Sequence, residues 1–195
     1  MIQITLEDFK QMCSKKDVVG YIEKIYCHWT GVGYNSINHS DYHVVIGKNG
    51  EIYVPDYDLT IKRGHTYMRN SRSIGIALAC CNTDSISENN LGAEPPTKEQ
   101  LNVMAEVVAT ACINIGIPLD IQHVMTHAEA ADNKDGLDLY YLDPTGYPNN
   151  TYGPDSNVDR WDLLVLREGE ERWSGGDQIR GNARFYAHEW GCTYI

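Results

Sequence analysis

The sequence predicts a single α/β domain with a central mixed β-sheet flanked by helices, and three stretches carry that prediction. Residues 73–80 are apolar or small at nearly every position, as a central strand covered on both faces should be. Asn49-Gly50 stands between two β-prone runs, 42–46 and 51–54, the strongest short-range signal for a hairpin. From Thr97 a helical pattern sets in, with Leu101, Met104, Val108, Ala111, Cys112 and Ile115 in phase until Gly116 and Pro118 close it.

The elements follow in order. Thr5 caps a first helix with Asp8 as its reciprocal partner, and Leu6, Phe9, Met12 and Cys13 share one face. Ile25-Tyr26-Cys27-His28-Trp29-Thr30 reads as a strand with Tyr26 and His28 on one side and Ile25 and Cys27 on the other. It breaks at Gly31-Val32-Gly33, so His28 falls at or just past a strand end, where open sheets expose functional groups. Tyr42 opens the first hairpin strand, beside the end of the His28 strand, and residues 62–66, including His65, form a loop. Gly75 in the central strand allows a close approach to its backbone. Thr97 and Gln100 repeat the capping logic of the first helix, with two prolines just upstream.

Residues 121–126 form another strand, and it ends at His127. One histidine at a strand end reads more readily as a core or capping residue than as a functional one; two such ends shift the balance toward a functional site. Residues 128–156 are a long excursion rich in Asp, Asn, Gly, Pro and Tyr, and long ordered loops tend to be functional. Asp132 to Gly136 resembles a calcium loop only superficially, because the alternating acids and terminal Glu are missing. Residues 158–166 are expected to begin a short amphipathic helix with an acidic first turn. Beyond Gly169, residues 173–176 read as a hinge, and Ile179, Ala183 and Tyr186 are spaced for one weak helix.

Composition narrows the function. At 195 residues the chain suits one domain, or one with an appendage, and 42% hydrophobic content suffices for a packed core. A formal charge of −11 disfavours nucleic acid and anionic lipid as partners. No run is long enough to span a membrane, and the N-terminus has no signal-peptide pattern, so synthesis in the cytoplasm is expected. Thirteen tyrosines and four tryptophans against two phenylalanines suit a wet aromatic surface, such as a groove for polar ligands, though composition drift would give the same counts. The six cysteines have no zinc-ribbon or C-x-x-C spacing and read as small, reduced core residues; Cys80 and Cys81 are expected on opposite faces of one strand.

A catalytic zinc site takes three protein ligands and leaves one position open. Two strand-end histidines supply two, and a carboxylate is the natural third. In this setting several motifs resemble the zinc-dependent N-acetylmuramoyl-L-alanine amidases, including phage endolysins and the related peptidoglycan recognition proteins. They are Cys27-His28-Trp29-Thr30, Tyr42-His43-Val44-Val45-Ile46 ahead of a hairpin, Gly64-His65 and Asn70-Ser71-Arg72-Ser73-Ile74-Gly75-Ile76. Thr126-His127 and Arg160-Trp161-Asp162 complete the set in family order.

The resemblance implies a zinc site at the strand ends, with His28, His127 and Asp162 as ligands. Tyr42 would flank the metal-bound water and the developing oxyanion, Arg160 would stand where relatives often carry Lys or Thr, and His65 would line the substrate groove. Asp162 comes unusually late after His127, which makes residues 128–156 an insertion and leaves Asp132, Asp135 and Asp159 as competing third ligands. Arg160 can stabilise an oxyanion but cannot trade protons, so the general acid is unassigned. Residues 1–168 would form the catalytic domain, including the N-terminal helix and the insertion, and 169–195 a C-terminal extension.

The implied activity is hydrolysis of the amide between the lactyl group of N-acetylmuramic acid and L-alanine in peptidoglycan. It would serve wall lysis after release from the cytoplasm, or recycling within it. A peptidoglycan-binding protein of the same fold that does not cut, and a metallopeptidase acting within the stem peptide, are the alternatives. Oligomeric state is not legible.

Overall fold

The computed structural model describes residues 1–82, 87–137 and 162–193, together with the backbone of two short paired strands, Tyr141–Leu142 and Pro148–Asn149. A six-stranded mixed sheet forms its centre. The strands are β1 (Ile2–Ile4), β2 (Lys24–Trp29), β3 (Val44–Ile46), β4 (Ile52–Val54), β5 (Ser73–Leu78) and β6 (Val124–Thr126), in the order β1-β4-β3-β5-β2-β6. The β1–β4 and β3–β4 pairs are antiparallel; β3–β5, β5–β2 and β2–β6 are parallel.

Every residue of β5 is buried, as its unbroken apolar sequence requires of a strand with neighbours on both sides. The hairpin forms at the Asn-Gly turn, but β3 begins at Val44 and Tyr42 stays in the loop ahead of it. Strand β1 escaped the sequence reading because three residues are too few to establish a period and they pair with a strand some fifty residues away.

Helix α1 (Leu6–Cys13) has both capping-box bonds between Thr5 and Asp8 and buries Phe9, Met12 and Cys13. Helix α2 (Lys98–Ala111) starts at the expected box of Thr97 and Gln100 and runs into a π-helical turn, Cys112–Gly116. Gln100 does more than cap. Its buried amide donates to the carbonyls of Ile46 and Ala79, tying α2 to the ends of β3 and β5. A five-residue helix α3 (His127–Ala131) stands where the excursion was expected to begin. The expected pairing of faces at Cys80 and Cys81 also differs: Cys81 lies past the end of β5 at φ 65, which brings the two free thiols 3.6 Å apart.

No helix covers the described part of 158–166. Leu163 adopts φ 59, and Leu163, Leu164, Val165 and Leu166 are all buried, whereas an amphipathic helix would bury one face only. The expected hinge at 173–176 is instead the entry to α4 (Ser174–Glu189), a sixteen-residue helix that packs Ile179, Ala183 and Ala187 into the core against α2. Among the described residues, no helix is long and apolar enough to cross a membrane.

Candidate metal centre

Strand geometry delivers the two histidines to one place. His28 is the last residue but one of β2, and the β2–β6 ladder runs to the pair Cys27–Thr126. The next residue in each chain segment is a histidine, His28 still within β2 and His127 just past the end of β6, so the parallel register sets the two side by side. Thr126 then caps α3: its hydroxyl accepts from the amide of Glu129, and the Glu129 carboxylate accepts from the amide of Thr126. This box fixes the chain on both sides of His127, and its Thr-x-x-Glu signature was readable in the sequence. Asp162 reaches the pair because its carbonyl accepts from the amide of Ala128 at 3.2 Å.

Three potential ligand atoms converge there. Nδ1 of His28 is 3.1 Å from Nδ1 of His127 and 3.1 Å from Oδ2 of Asp162, and the third side of the triangle is 3.2 Å. Tetrahedral zinc with bonds of ~2.0–2.1 Å has neighbouring ligand atoms about 3.3 Å apart, so the triangle fits such an ion nearly without rearrangement. Two imidazole nitrogens and one carboxylate oxygen also suit zinc chemically and leave a fourth direction open. Burial of the Asp162 carboxyl would raise its pKa, but the neighbouring charges and hydrogen bonds of His127 and His28 outweigh it and hold the group ionised. The His28 side chain has no exposure, whereas those of His127 and Asp162 are 11% and 14% exposed, so the triangle opens to solvent on their side.

The other face of His28 is backed by protein. Its Nε2 lies 3.3 Å from Oγ1 of Thr66, which is 2.9 Å from Nδ1 of His65. His65 was expected to line the groove. The structure buries it behind His28, ring centroids 5.4 Å apart, with its Nε2 lacking a partner among the described residues. A β-carbon on Gly75 would lie 2.6 Å from the His65 ring, which accounts for a glycine in the middle of β5. His43 sits behind His65; its Nδ1 accepts from the Gly75 amide and its Nε2 donates to the Ile61 carbonyl, which fixes a neutral tautomer. Tyr42 lies on the His28 side of the site, with ring centroids 5.1 Å apart and its hydroxyl donating to the Trp29 carbonyl at 3.5 Å.

The competing carboxylates are engaged elsewhere. Asp135 is buried against Arg69, which donates to both its oxygens, and Asp132 pairs with Lys134. Asp159 and Arg160 lie outside the described residues, as does most of the expected insertion. Among the described residues, His28, His127 and Asp162 form the group able to hold a metal ion.

Fold and site together define an α/β domain whose parallel strands end on a three-ligand metal-type centre. The model of one family, N-acetylmuramoyl-L-alanine amidase, matches residues 19–137, well over half of the chain, and the chain belongs to that family. The matched span holds His28, Tyr42, His65 and His127 and stops short of Asp162. Solved structures similar to this chain include the endolysin N-acetylmuramoyl-L-alanine amidase LysCS from Clostridium intestinale URNW. It is 20% identical over 55% of this chain and 69% of that one, with a TM-score of 0.40. Wild-type PGRP-LB of Drosophila is 18% identical over 55% and 70%, also at 0.40. No curated protein matches.

Proposed function

We propose that this chain is a zinc-dependent hydrolase that cleaves the amide between the lactyl group of N-acetylmuramic acid and L-alanine in peptidoglycan. The observation that carries the reading is the triangle of His28, His127 and Asp162, whose potential ligand atoms lie within 3.2 Å of one another. Three such acceptors repel unless a cation or proton lies among them. Zinc bound there supplies a Lewis acid that polarises a carbonyl and makes water a nucleophile near neutral pH.

The chain's own residues do the rest. Asp162 stays ionised and lowers the net charge of the centre. Thr66 accepts from Nε2 of His28 and so keeps Nδ1 free to face the triangle. Tyr42 stands beside His28, where its hydroxyl can turn toward the oxyanion that forms as the amide is attacked. Arg160 is a second oxyanion donor on the strength of its motif alone, and His65 supports the site from behind Thr66. The solvent-open side at His127 and Asp162 is where the muramoyl-peptide would enter. The setting is lysis of the cell wall after release, with recycling of wall fragments as the second setting.

The test is a digest of purified peptidoglycan by the zinc-loaded protein. New L-alanine amino termini on released stem peptides, together with glycan freed of those peptides, support the reading. Termini within the stem peptide would make the protein a metallopeptidase, and binding without new termini a recognition protein.

A further inference from the structure

Helix α4 lies wholly beyond the span that the family model matches, yet it grips the segments carrying two of the three candidate ligands. The guanidinium of Arg180, 7% exposed, donates to the Val124 carbonyl in β6 at 2.9 Å and to both oxygens of Glu129 in α3 at 2.8 and 2.9 Å. It also donates to Asp177 on its own helix at 2.6 Å. Val124 and Glu129 stand on either side of His127, so one buried cation spans the strand that delivers this histidine and the helix it opens. The same Glu129 carboxylate accepts from the amide of Thr126, the residue next to His127.

The first turn of α4 serves the other ligand. The Gly175 amide donates to the Leu164 carbonyl at 3.1 Å, and a β-carbon on Gly175 would collide with the carbonyl of Leu163, the residue after Asp162. A β-carbon on Gly176 would collide with the Glu129 carboxylate. The two glycines therefore let one helix end press against both ligand-bearing segments. Leu163 links Asp162 to this contact with a left-handed backbone, φ 59.

We propose that α4 is a positioning element of the metal centre, with Arg180 holding His127 from both flanks and Gly175-Gly176 seating the Asp162 segment. The helix sets metal affinity without touching the metal. This rests on the metal-binding reading given under Proposed function, and the experiment separates the two.

Zinc affinity is measured by competition with a chelator, and ligand geometry by the visible absorption of the cobalt-substituted protein. The variants are Arg180→Met, Arg180→Met/Glu129→Gln, in which the glutamine oxygen still accepts from the Thr126 amide, and Met104→Ala. The last removes core volume in α2 away from the site, so it lowers stability as a merely structural change would. Wild type is expected to bind one zinc. Arg180→Met is expected to bind it about tenfold more weakly with an altered cobalt spectrum, as loss of outer-shell support does elsewhere. Met104→Ala should keep wild-type affinity and spectrum. If Arg180→Met fails to fold, the double variant, which leaves no unpaired buried charge, is read in its place. Wild-type affinity and spectrum in the folded Arg180 variant overturn the proposal, and so does an equal loss in Met104→Ala. A wild-type chain that binds no zinc overturns this proposal and the metal reading together, whereas the other outcomes leave that reading standing.

Discussion

Nδ1 of His28 lies 3.1 Å from Oδ2 of Asp162, although 134 positions separate the two residues in the chain. Nothing local brings them together; the register of β2 with β6 and the bond from the Ala128 amide to the Asp162 carbonyl do. A contact made only by tertiary structure, between groups that repel when deprotonated, fits a place prepared for a cation.

Removal of either partner should therefore empty the centre. His28→Ala and Asp162→Ala are each expected to weaken zinc binding on the order of 100-fold or more, since a ligand atom costs more than an outer-shell contact. Release of L-alanine amino termini should fall with it. Chelator competition and an amino-terminus assay on the same preparations check both; full lysis by a metal-free variant would end the proposal.

Tyr42→Phe keeps the ring against His28 and removes only the hydroxyl. Its kcat is expected to drop on the order of 100-fold, the scale of one lost oxyanion donor, with zinc affinity unchanged. A parallel loss of zinc would mean that Tyr42 serves the site through packing.

Thr66 provides a test of tautomer control. With Nδ1 of His28 used as a ligand atom, its proton sits on Nε2 and needs the Thr66 oxygen as acceptor. Thr66→Val matches the shape without the acceptor and should bind zinc about tenfold more weakly. Thr66→Ser should bind as wild type does.

Asp135 separates structure from ligation. Its buried carboxylate is held by Arg69, so Asp135→Asn should leave one zinc per chain. Breaking the buried pair should lower unfolding free energy by about 3 kcal/mol, measured by urea denaturation. Loss of zinc at unchanged stability would restore Asp135 as a ligand.

The buried imidazole of His43 makes stability depend on pH. Burial outweighs its bond to the Ile61 carbonyl and pushes its pKa down to about 4. Between that value and the unfolded value of ~6.5, the unfolded chain takes up a proton that the folded chain does not. The contribution is therefore complete above about 6.5 and lost as pH falls toward 4, amounting to about 3 kcal/mol. Denaturation of zinc-free protein at pH 7 and pH 5 should show the decline, and His43→Gln should make it shallower. His65 is likewise held below its ordinary range by burial and its histidine neighbours, so it adds to the decline from about pH 6.5 downward and carries it below the point where His43 has titrated.

Much of this arrangement was legible from residue types alone. The capping boxes at Thr5 and Thr97, the all-apolar β5 and the Asn-Gly hairpin are local signals, and the chain obeys them. Parallel register cannot be read that way, so the juxtaposition of His28 with His127 was only suggested by two strands ending alike. The burial of His65 was hidden because a loop histidine looks the same whether it faces solvent or fills the space over a glycine. Gly175-Gly176 misled for a related reason. Paired glycines usually mark a flexible joint, but here their missing side chains make room for Glu129 and the Leu163 carbonyl. The Thr126-Glu129 box was overlooked because α3 is too short to show a period.

The bidentate hold of Arg180 on Glu129 limits how this domain can be cut and recombined. A version trimmed after the last sheet strand and its short helix would retain both imidazoles. It would also strip the cover from Glu129 and from the core face that Ile179, Ala183 and Ala187 fill, leaving apolar surface in contact with water. Grafting the histidine-bearing face onto another scaffold thus means carrying the final helix along, or supplying another element to cover that side.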